Sequence, residues 1–262
     1  MRDGGVRPLL LKGPAVARWL YAPGERRYVD CDLLVPARER AGAERVLRRL
    51  GFRPRPWRAW LRAAREWQRG EATVDLHTAV FGVGVTSERA WDVLSRETET
   101  MAVGGVDVEV LALPARTLQL ATHVAQHPPS HGQSQSREDL RRAVERVSTT
   151  TWQDAAHLAD ELDAEAALAA GLRQVDGGEK LARDLGVAGA SSRLVELVSG
   201  DGPPIALALA QIAAAESARL RLMLLARAVV PERTTAKAYV TRLIALARRA
   251  PADLAAWRRA RR

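Results

Sequence analysis

Asp30 and Asp32 stand two residues apart in the run Tyr28-Val29-Asp30-Cys31-Asp32-Leu33-Leu34-Val35. If that run is a strand, its side chains alternate between faces, so both carboxylates project on one side while Val29, Cys31 and Leu33 project on the other. Like charges on neighbouring same-face positions of an apolar strand repel one another, and a divalent cation is the simplest group to neutralise them. A second apolar run, Val74-Asp75-Leu76-His77, sets Asp75 and His77 on a shared face in the same way. Paired in one sheet, the two runs offer three hard oxygen donors. Such a set suits Mg²⁺, which keeps several waters and takes the rest of its octahedron from substrate phosphates. The chemistry expected of the set is phosphoryl-type transfer. His77, a nitrogen donor, is expected to orient a phosphate or an aspartate rather than to ligate magnesium.

Phosphates need cationic or N–H partners, and these lie upstream. Nearly all of the positive charge is arginine, the lysines being Lys12, Lys180 and Lys237, and Lys12 falls in the turn Leu11-Lys12-Gly13-Pro14. Gly13 lets a ligand approach the backbone, N–H groups at the start of the following helix can receive a phosphate, and Lys12 adds a point charge for a β- or γ-phosphate. Arg26 and Arg27 directly precede the acid strand and are candidates to hold a triphosphate or brace the acids, Arg27 being the better match.

The elements that must position these groups can be read from periodicity and turn chemistry. An apolar run at 9–12 feeds a helix at 15–21 that Pro14 opens. Strands are expected at 28–35 and 72–79, with a helix at 37–50 that stops at Gly51. Gly104-Gly105 joins strands 97–103 and 106–111 as a hairpin. Pro114 opens a helix reaching His127, which Pro128-Pro129 ends before a polar loop at 128–136. Beyond it the pattern is almost wholly helical and rich in alanine, leucine and arginine, with helices expected at 137–147, 152–170, 178–185, 191–198, 204–230 and 234–262. The chain therefore divides into residues 1–112, a core of strands and helices, and residues 113–262, a helical region.

Leu11-Lys12-Gly13, Arg27 to Val35, Gly51-Phe52 and Val74-Asp75-Leu76-His77 together resemble the polymerase-β-type nucleotidyltransferase superfamily, and more narrowly the group of uncharacterised nucleotidyltransferase family proteins. The hairpin ending at Leu111, Pro114 and the helix carrying His123 and His127 are also similar to that group, so the resemblance covers about the first 130 residues. It implies an α+β fold: a small, five-stranded mixed sheet flanked by helices, followed by a helical C-terminal half on the acceptor side. It also implies two Mg²⁺ ions, with Mn²⁺ as a substitute, and transfer of a nucleoside monophosphate from an NTP with release of pyrophosphate. Carried over by position, Asp30 and Asp32 would bind both metals, Asp75 would bind the catalytic metal and help deprotonate the acceptor, and Gly13 would stand at the phosphate turn. One departure is Pro14, which follows Gly13 where the superfamily commonly has Gly-Ser or Gly-Gly and so removes a backbone donor.

The acceptor is expected to be a small molecule. A net charge of +9 keeps an alternative open in which the acceptor is tRNA or another RNA, and a third reading is a nucleotide-binding or scaffold protein without turnover. In the segment 53–69, arginines alternate with Trp57, Trp60 and Trp67, which reads either as a base-stacking surface or as a helix with a solvated arginine face and a tryptophan core side. His123, His127 and His131 have zinc-like spacing, but Pro128 and Pro129 interrupt the helix and no cysteine completes a set. His123 and His127 are expected to pack near the site as polar residues. Cys31, the sole cysteine, forms no intramolecular disulfide and is expected to be a small core residue. With 47% apolar residues, a globular core, no signal-like start and no bilayer-length apolar run, the expected setting is the cytoplasm.

Overall fold

The computed structural model describes residues 1, 4–55, 64–127 and 134–200, together with 212, 218, 221 and 222. The expected helices at 204–230 and 234–262, His131, Trp57 and Trp60 lie outside the described residues. The fold is α+β. Chain order begins with strand β1 (Leu9–Leu10), helix α1 (Pro14–Leu20), β2 (Asp30–Leu34), a short 3-10 turn (Ala37–Glu39) and α2 (Arg40–Arg49). It continues through β3 (Arg53–Pro54), β4 (Ala64–Arg69), β5 (Ala72–His77), α3 (Ser87–Leu94), β6 (Thr98–Val103) and β7 (Val106–Leu111). Helices α4 (Leu113–Ala125), α5 (Ser134–Arg146), α6 (Thr149–Glu161), α7 (Glu165–Leu172), α8 (Gly178–Asp184) and α9 (Arg193–Ser199) complete it.

Among the described residues the strands form one mixed sheet in the order β3-β4-β5-β2-β1-β7-β6. It has seven strands where five were expected. The addition at one edge arises in the segment read as a possible arginine-faced helix: β4 is extended and pairs antiparallel with β5 through the turn at Gly70, whose φ of 58° suits glycine. Sheet pairing there overrides the helical spacing of the arginines, because a strand beside β5 buries Trp67 completely in the sheet's second core.

The two faces of the sheet are covered differently. Val35, Leu76 and Trp67 pack against Ala43 and Leu47 of α2 and against Phe52. Leu9, Leu34 and Leu111 face the other way, into the largest buried cluster, which includes Leu118, Leu120 and Val124 of α4, Leu140 of α5, Trp152 of α6 and Leu168 and Leu172 of α7. That cluster draws residues from both sides of position 112. Helix α4 lies at its centre and is buried nearly all round, as expected of a helix with apolar residues on every face.

The hairpin β6–β7 forms at the expected residues. Two differences have local causes. The expected single helix at 152–170 is split into α6 and α7, because Asp163 takes a φ of 51°, a conformation that ends a right-handed helix. Helix α3, absent from the sequence expectation, is capped by Thr86, whose side-chain oxygen accepts the N–H of Arg89. No helix among the described residues is long and apolar enough to cross a membrane.

Candidate functional site

Strands β2 and β5 run parallel in a register that pairs Asp30 with Thr73, Asp32 with Asp75 and Leu34 with His77. In-register neighbours on parallel strands point to the same face, so Asp32 and Asp75 lie side by side and His77 follows on the same side. One donor atom from each of Asp32, Asp75 and His77 lies within 4.8 Å of the others. This face is the one covered by the helical region, while Cys31 and Leu33 on the opposite face pack with Leu10 and Val110. The alternation inferred from the sequence thus separates core from chemistry.

A cleft of about 400 Å³ opens over these groups. Its sheet side carries Asp30, Asp32, Asp75 and His77, its turn side Lys12 and Gly13, and its mouth Arg26, Arg27, Tyr28 and Val29. The helical side brings Gln119, Thr122, His123, Gln126 and His127 from α4 and the two residues after it, and Gln135, Ser136 and Asp139 from α5. All seven residues singled out for the site from the sequence, Lys12, Gly13, Arg27, Asp30, Asp32, Asp75 and His77, therefore line one cleft. The tighter cluster within it contains His77 in the place where Asp30 was expected, Asp30 standing further towards the opening and half-buried.

The electrostatics centre on Asp32. Its side chain is 4% exposed, and its Oδ1 accepts from Lys12 Nζ at 3.0 Å and lies 2.9 Å from His77 Nε2. Burial pushes this carboxyl up, but the His77 hydrogen bond and the Lys12 charge outweigh it and hold Asp32 well below the usual carboxylate range. Asp30 moves the opposite way: burial and then the adjacent Asp32 charge raise it. The two neighbouring carboxylates thus shift in opposite directions, Asp32 held down by its partners and Asp30 raised by burial and the adjacent charge. Lys12 Nζ also donates towards His123 Nδ1 at 3.3 Å. His123 is kept neutral by burial first and by the Lys12 charge second. Its ring meets that of His127 edge-on at 5.1 Å, so both histidines pack at the site as expected.

The backbone of the Lys12-Gly13 turn explains the glycine. Gly13 has φ 64°, and a Cβ there would stand 2.9 Å from the carbonyl oxygen of Asp30, with the Tyr28 ring next nearest. A side chain would therefore be strained and would push the turn off the acid strand.

Apart from His123 and His127, sequence reasoning passed over the residues from the helical side, Asp139 above all. Tyr21 Oη donates to Asp139 Oδ1 at 2.6 Å, and Arg26 grips the same carboxylate with two prongs, Nε to Oδ1 at 2.8 Å and Nη2 to Oδ2 at 2.7 Å. Arg26 is thus buried and fixed, whereas Arg27 is exposed at the mouth. An aspartate within the expected helix at 137–147 gave no signal of this, since Asp139 and Arg26 are far apart in sequence. Trp67, one of the tryptophans considered for base stacking, is fully buried between the guanidinium groups of Arg48 and Arg65 and presents no ring to a ligand.

A family model described as "Uncharacterised nucleotidyltransferase" matches residues 1–176. No curated protein matches the chain. Among solved structures, the solution structure of the antibiotic-resistance factor ANT(2'')-Ia is similar at 17% identity and TM-score 0.45, covering 62% of this chain and 87% of that one. A crystal structure of ANT(2'')-Ia in complex with adenylyl-2''-tobramycin is similar at 15% identity and TM-score 0.42, covering 61% and 90%. An antigenic nucleotidyltransferase-like protein from Paracoccidioides brasiliensis follows at 14% identity and TM-score 0.34, covering 64% and 86%.

Proposed function

Starting from the fact that the chain belongs to the uncharacterised nucleotidyltransferase family, a family of transferases, we propose that it moves a nucleoside monophosphate from an NTP to a hydroxyl of a small acceptor and releases pyrophosphate. The observation that carries this reading is the in-register pairing of Asp32 with Asp75 beside His77, under a cleft that also holds Lys12, Gly13 and Asp30.

The donor set fits a divalent cation. Two carboxylates converge with a third, Asp30, on the same face, and a cation would relieve both the repulsion that raises Asp30 and the crowding of negative charge around Asp32. Asp32 and Asp75 would hold Mg²⁺ or Mn²⁺, with Asp30 completing the site for a second ion. When bound, such ions would neutralise charge that develops during phosphoryl transfer. The protein's own groups do the rest. Lys12, 3.0 Å from Asp32, would add a point charge for a β- or γ-phosphate. The Gly13 turn keeps the backbone close to the triphosphate, and Arg27 at the mouth meets its outer charge. Asp75, which lines the cleft, would help accept the proton of the attacking hydroxyl. His77 orients Asp32 through the 2.9 Å contact.

The acceptor would sit against the helical side, where Gln119, Thr122, Gln126, Gln135 and Ser136 offer neutral hydrogen-bonding groups, and a cleft of about 400 Å³ suits a small molecule. On this reading residues 1–112 form the nucleotidyltransferase core and residues 113–262 the acceptor side. A cytoplasmic setting, with ATP and other NTPs at hand, goes with it.

The test is to incubate the protein with each NTP, Mg²⁺ or Mn²⁺ and pools of small hydroxylated acceptors, and to measure pyrophosphate. Release that depends on acceptor and on divalent ion, and that falls about a thousandfold in Asp75→Asn, supports the proposal, a neutral amide being a poor ligand for a hard cation. Equal release by Asp75→Asn and the parent protein would remove it.

A further inference from the structure

Asp139 lines the cleft from α5 and is 2% exposed. Four contacts from three residues converge on its carboxylate. Arg26 supplies the fork at 2.8 and 2.7 Å, Tyr21 Oη donates at 2.6 Å, and Gln135 Nε2 donates at 3.1 Å to Oδ1 and also to Tyr21 Oη. The guanidinium held in this way reaches onward: Arg26 Nη1 donates to the carbonyl oxygen of Gly13 at 3.3 Å. That carbonyl also accepts the Ala17 N–H at 3.1 Å, the bond that starts α1.

The consequence is that one carboxylate of α5 governs both ends of α1. Tyr21 is the residue that closes α1, and Asp139 holds it directly; Gly13 is the residue that opens α1, and Asp139 holds it through Arg26. Arg146 of the same helix donates to the Leu20 carbonyl at 2.7 Å, and the Arg142 guanidinium lies 4.1 Å from the centre of the Tyr21 ring, so α5 clamps α1 along its length. Gly13 has no side chain with which to fix its own peptide, and its φ of 64° leaves it dependent on neighbours.

We infer that Asp139 is a positioning residue for nucleotide binding: through Arg26 it sets the Gly13 carbonyl and so the turn that aims Lys12 at Asp32. The inference rests on the NTP reading above for its functional effect, while the structural link can be measured without nucleotide. A fork of two charged hydrogen bonds to a buried carboxylate cannot be replaced by an amide or by a lysine, which lacks the planar pair of donors. Loss of one charge-assisted hydrogen bond corresponds to about tenfold or more in an equilibrium constant.

The test uses the full chain, with Asp139→Asn and Arg26→Lys as separate variants, the second guarding against misfolding of the first. Amide hydrogen exchange without nucleotide reads the link. In either folded variant the Ala17 amide, which reports the Gly13 carbonyl, should exchange about tenfold faster than in the parent protein, while amides of the β6–β7 hairpin keep their rates. The dissociation constant for MgATP, read by equilibrium dialysis, should rise about tenfold in the same variants. Unchanged exchange at Ala17, or acceleration equal to that of the hairpin, would overturn the link. Faster Ala17 exchange with unchanged MgATP affinity would overturn the positioning role, leaving Asp139 a packing residue. Failure of the parent protein itself to bind MgATP would overturn the function proposed above, and the exchange result would still decide the link on its own.

Discussion

Asparagine at position 32 would remove the negative charge from the carboxylate that Lys12 and His77 engage, while keeping its shape. In the parent protein Asp32 Oδ1 meets Lys12 Nζ at 3.0 Å and His77 Nε2 at 2.9 Å, with the Asp32 side chain 4% and the Lys12 side chain 15% exposed. At about 3 Å and an effective dielectric of about 20, the Lys12 attraction alone is about 5 kcal/mol before desolvation is subtracted. Removing one member of such a buried pair typically costs about 3–5 kcal/mol, because the other charge is left without compensation. The asparagine oxygen can still accept one hydrogen bond, which returns about 1 kcal/mol. Asp32→Asn should therefore lower stability by about 3 kcal/mol at neutral pH, or by about 6–12 °C in melting temperature for a chain of this size. The pH dependence has a definite sign. The folded-state pKa of Asp32 lies below its unfolded value, so the stabilisation is fully present above the unfolded value and is lost as pH falls through the folded one. Urea titrations at pH 7 and 5 should give the same gap between parent and variant, and the gap should narrow by pH 3. Adding Lys12→Met to Asp32→Asn removes the stranded ammonium and should restore part of the lost stability. A gap below about 0.5 kcal/mol at pH 7, or one that widens in acid, would refute the view that Lys12 and His77 hold an ionised Asp32.

Three further outcomes follow from the geometry. Gly13→Ala should cost about 2 kcal/mol in chemical denaturation, from the positive φ and the 2.9 Å approach to the Asp30 carbonyl, and should raise the KM for NTP more than it lowers kcat. His123 is buried and neutral, its folded-state pKa depressed below 6.5, so the unfolded chain binds the extra proton and stability should decline as pH drops from 7 through 6; His123→Gln should flatten that decline in melting curves recorded across the range. Trp152→Ala, at a fully buried site beneath α4, should destabilise by about 3–5 kcal/mol in urea unfolding without moving the in-register pairing of Asp32 and Asp75, which MgATP binding measured well below the melting temperature would report.

What could be read in the sequence was whatever depended on neighbours along the chain. Alternation put Asp30 and Asp32 on the face opposite Cys31 and Leu33, and the structure keeps them there, because a period of two leaves a strand no other choice once one face packs on β1 and β7. Gly104-Gly105 specified the β6–β7 turn, and both glycines have the positive φ that their position needs. The convergence of Asp75 with Asp32 needed more, namely a parallel register between strands about forty residues apart; the repeated acid-in-apolar pattern in both runs is what made that inference possible.

The misreadings arise where a long-range partner decides. Spacing alone let residues 53–69 pass as a helix face, since arginines three and four apart satisfy a helical stripe, yet β5 offers β4 a complete ladder and Trp67 a buried seat, and that burial outweighs spacing. The different settings of Arg26 and Arg27 have the same origin. Both precede the acid strand equally well, and only the carboxylate of Asp139, 113 residues further on, draws one of them inward and leaves the other at the mouth. A local pattern can thus identify which residue types a site contains, but which of two adjacent arginines is fixed is determined by a helix that packs across the sheet. This is why α5, unremarkable as a sequence, holds the residue on which the orientation of the Gly13 turn depends.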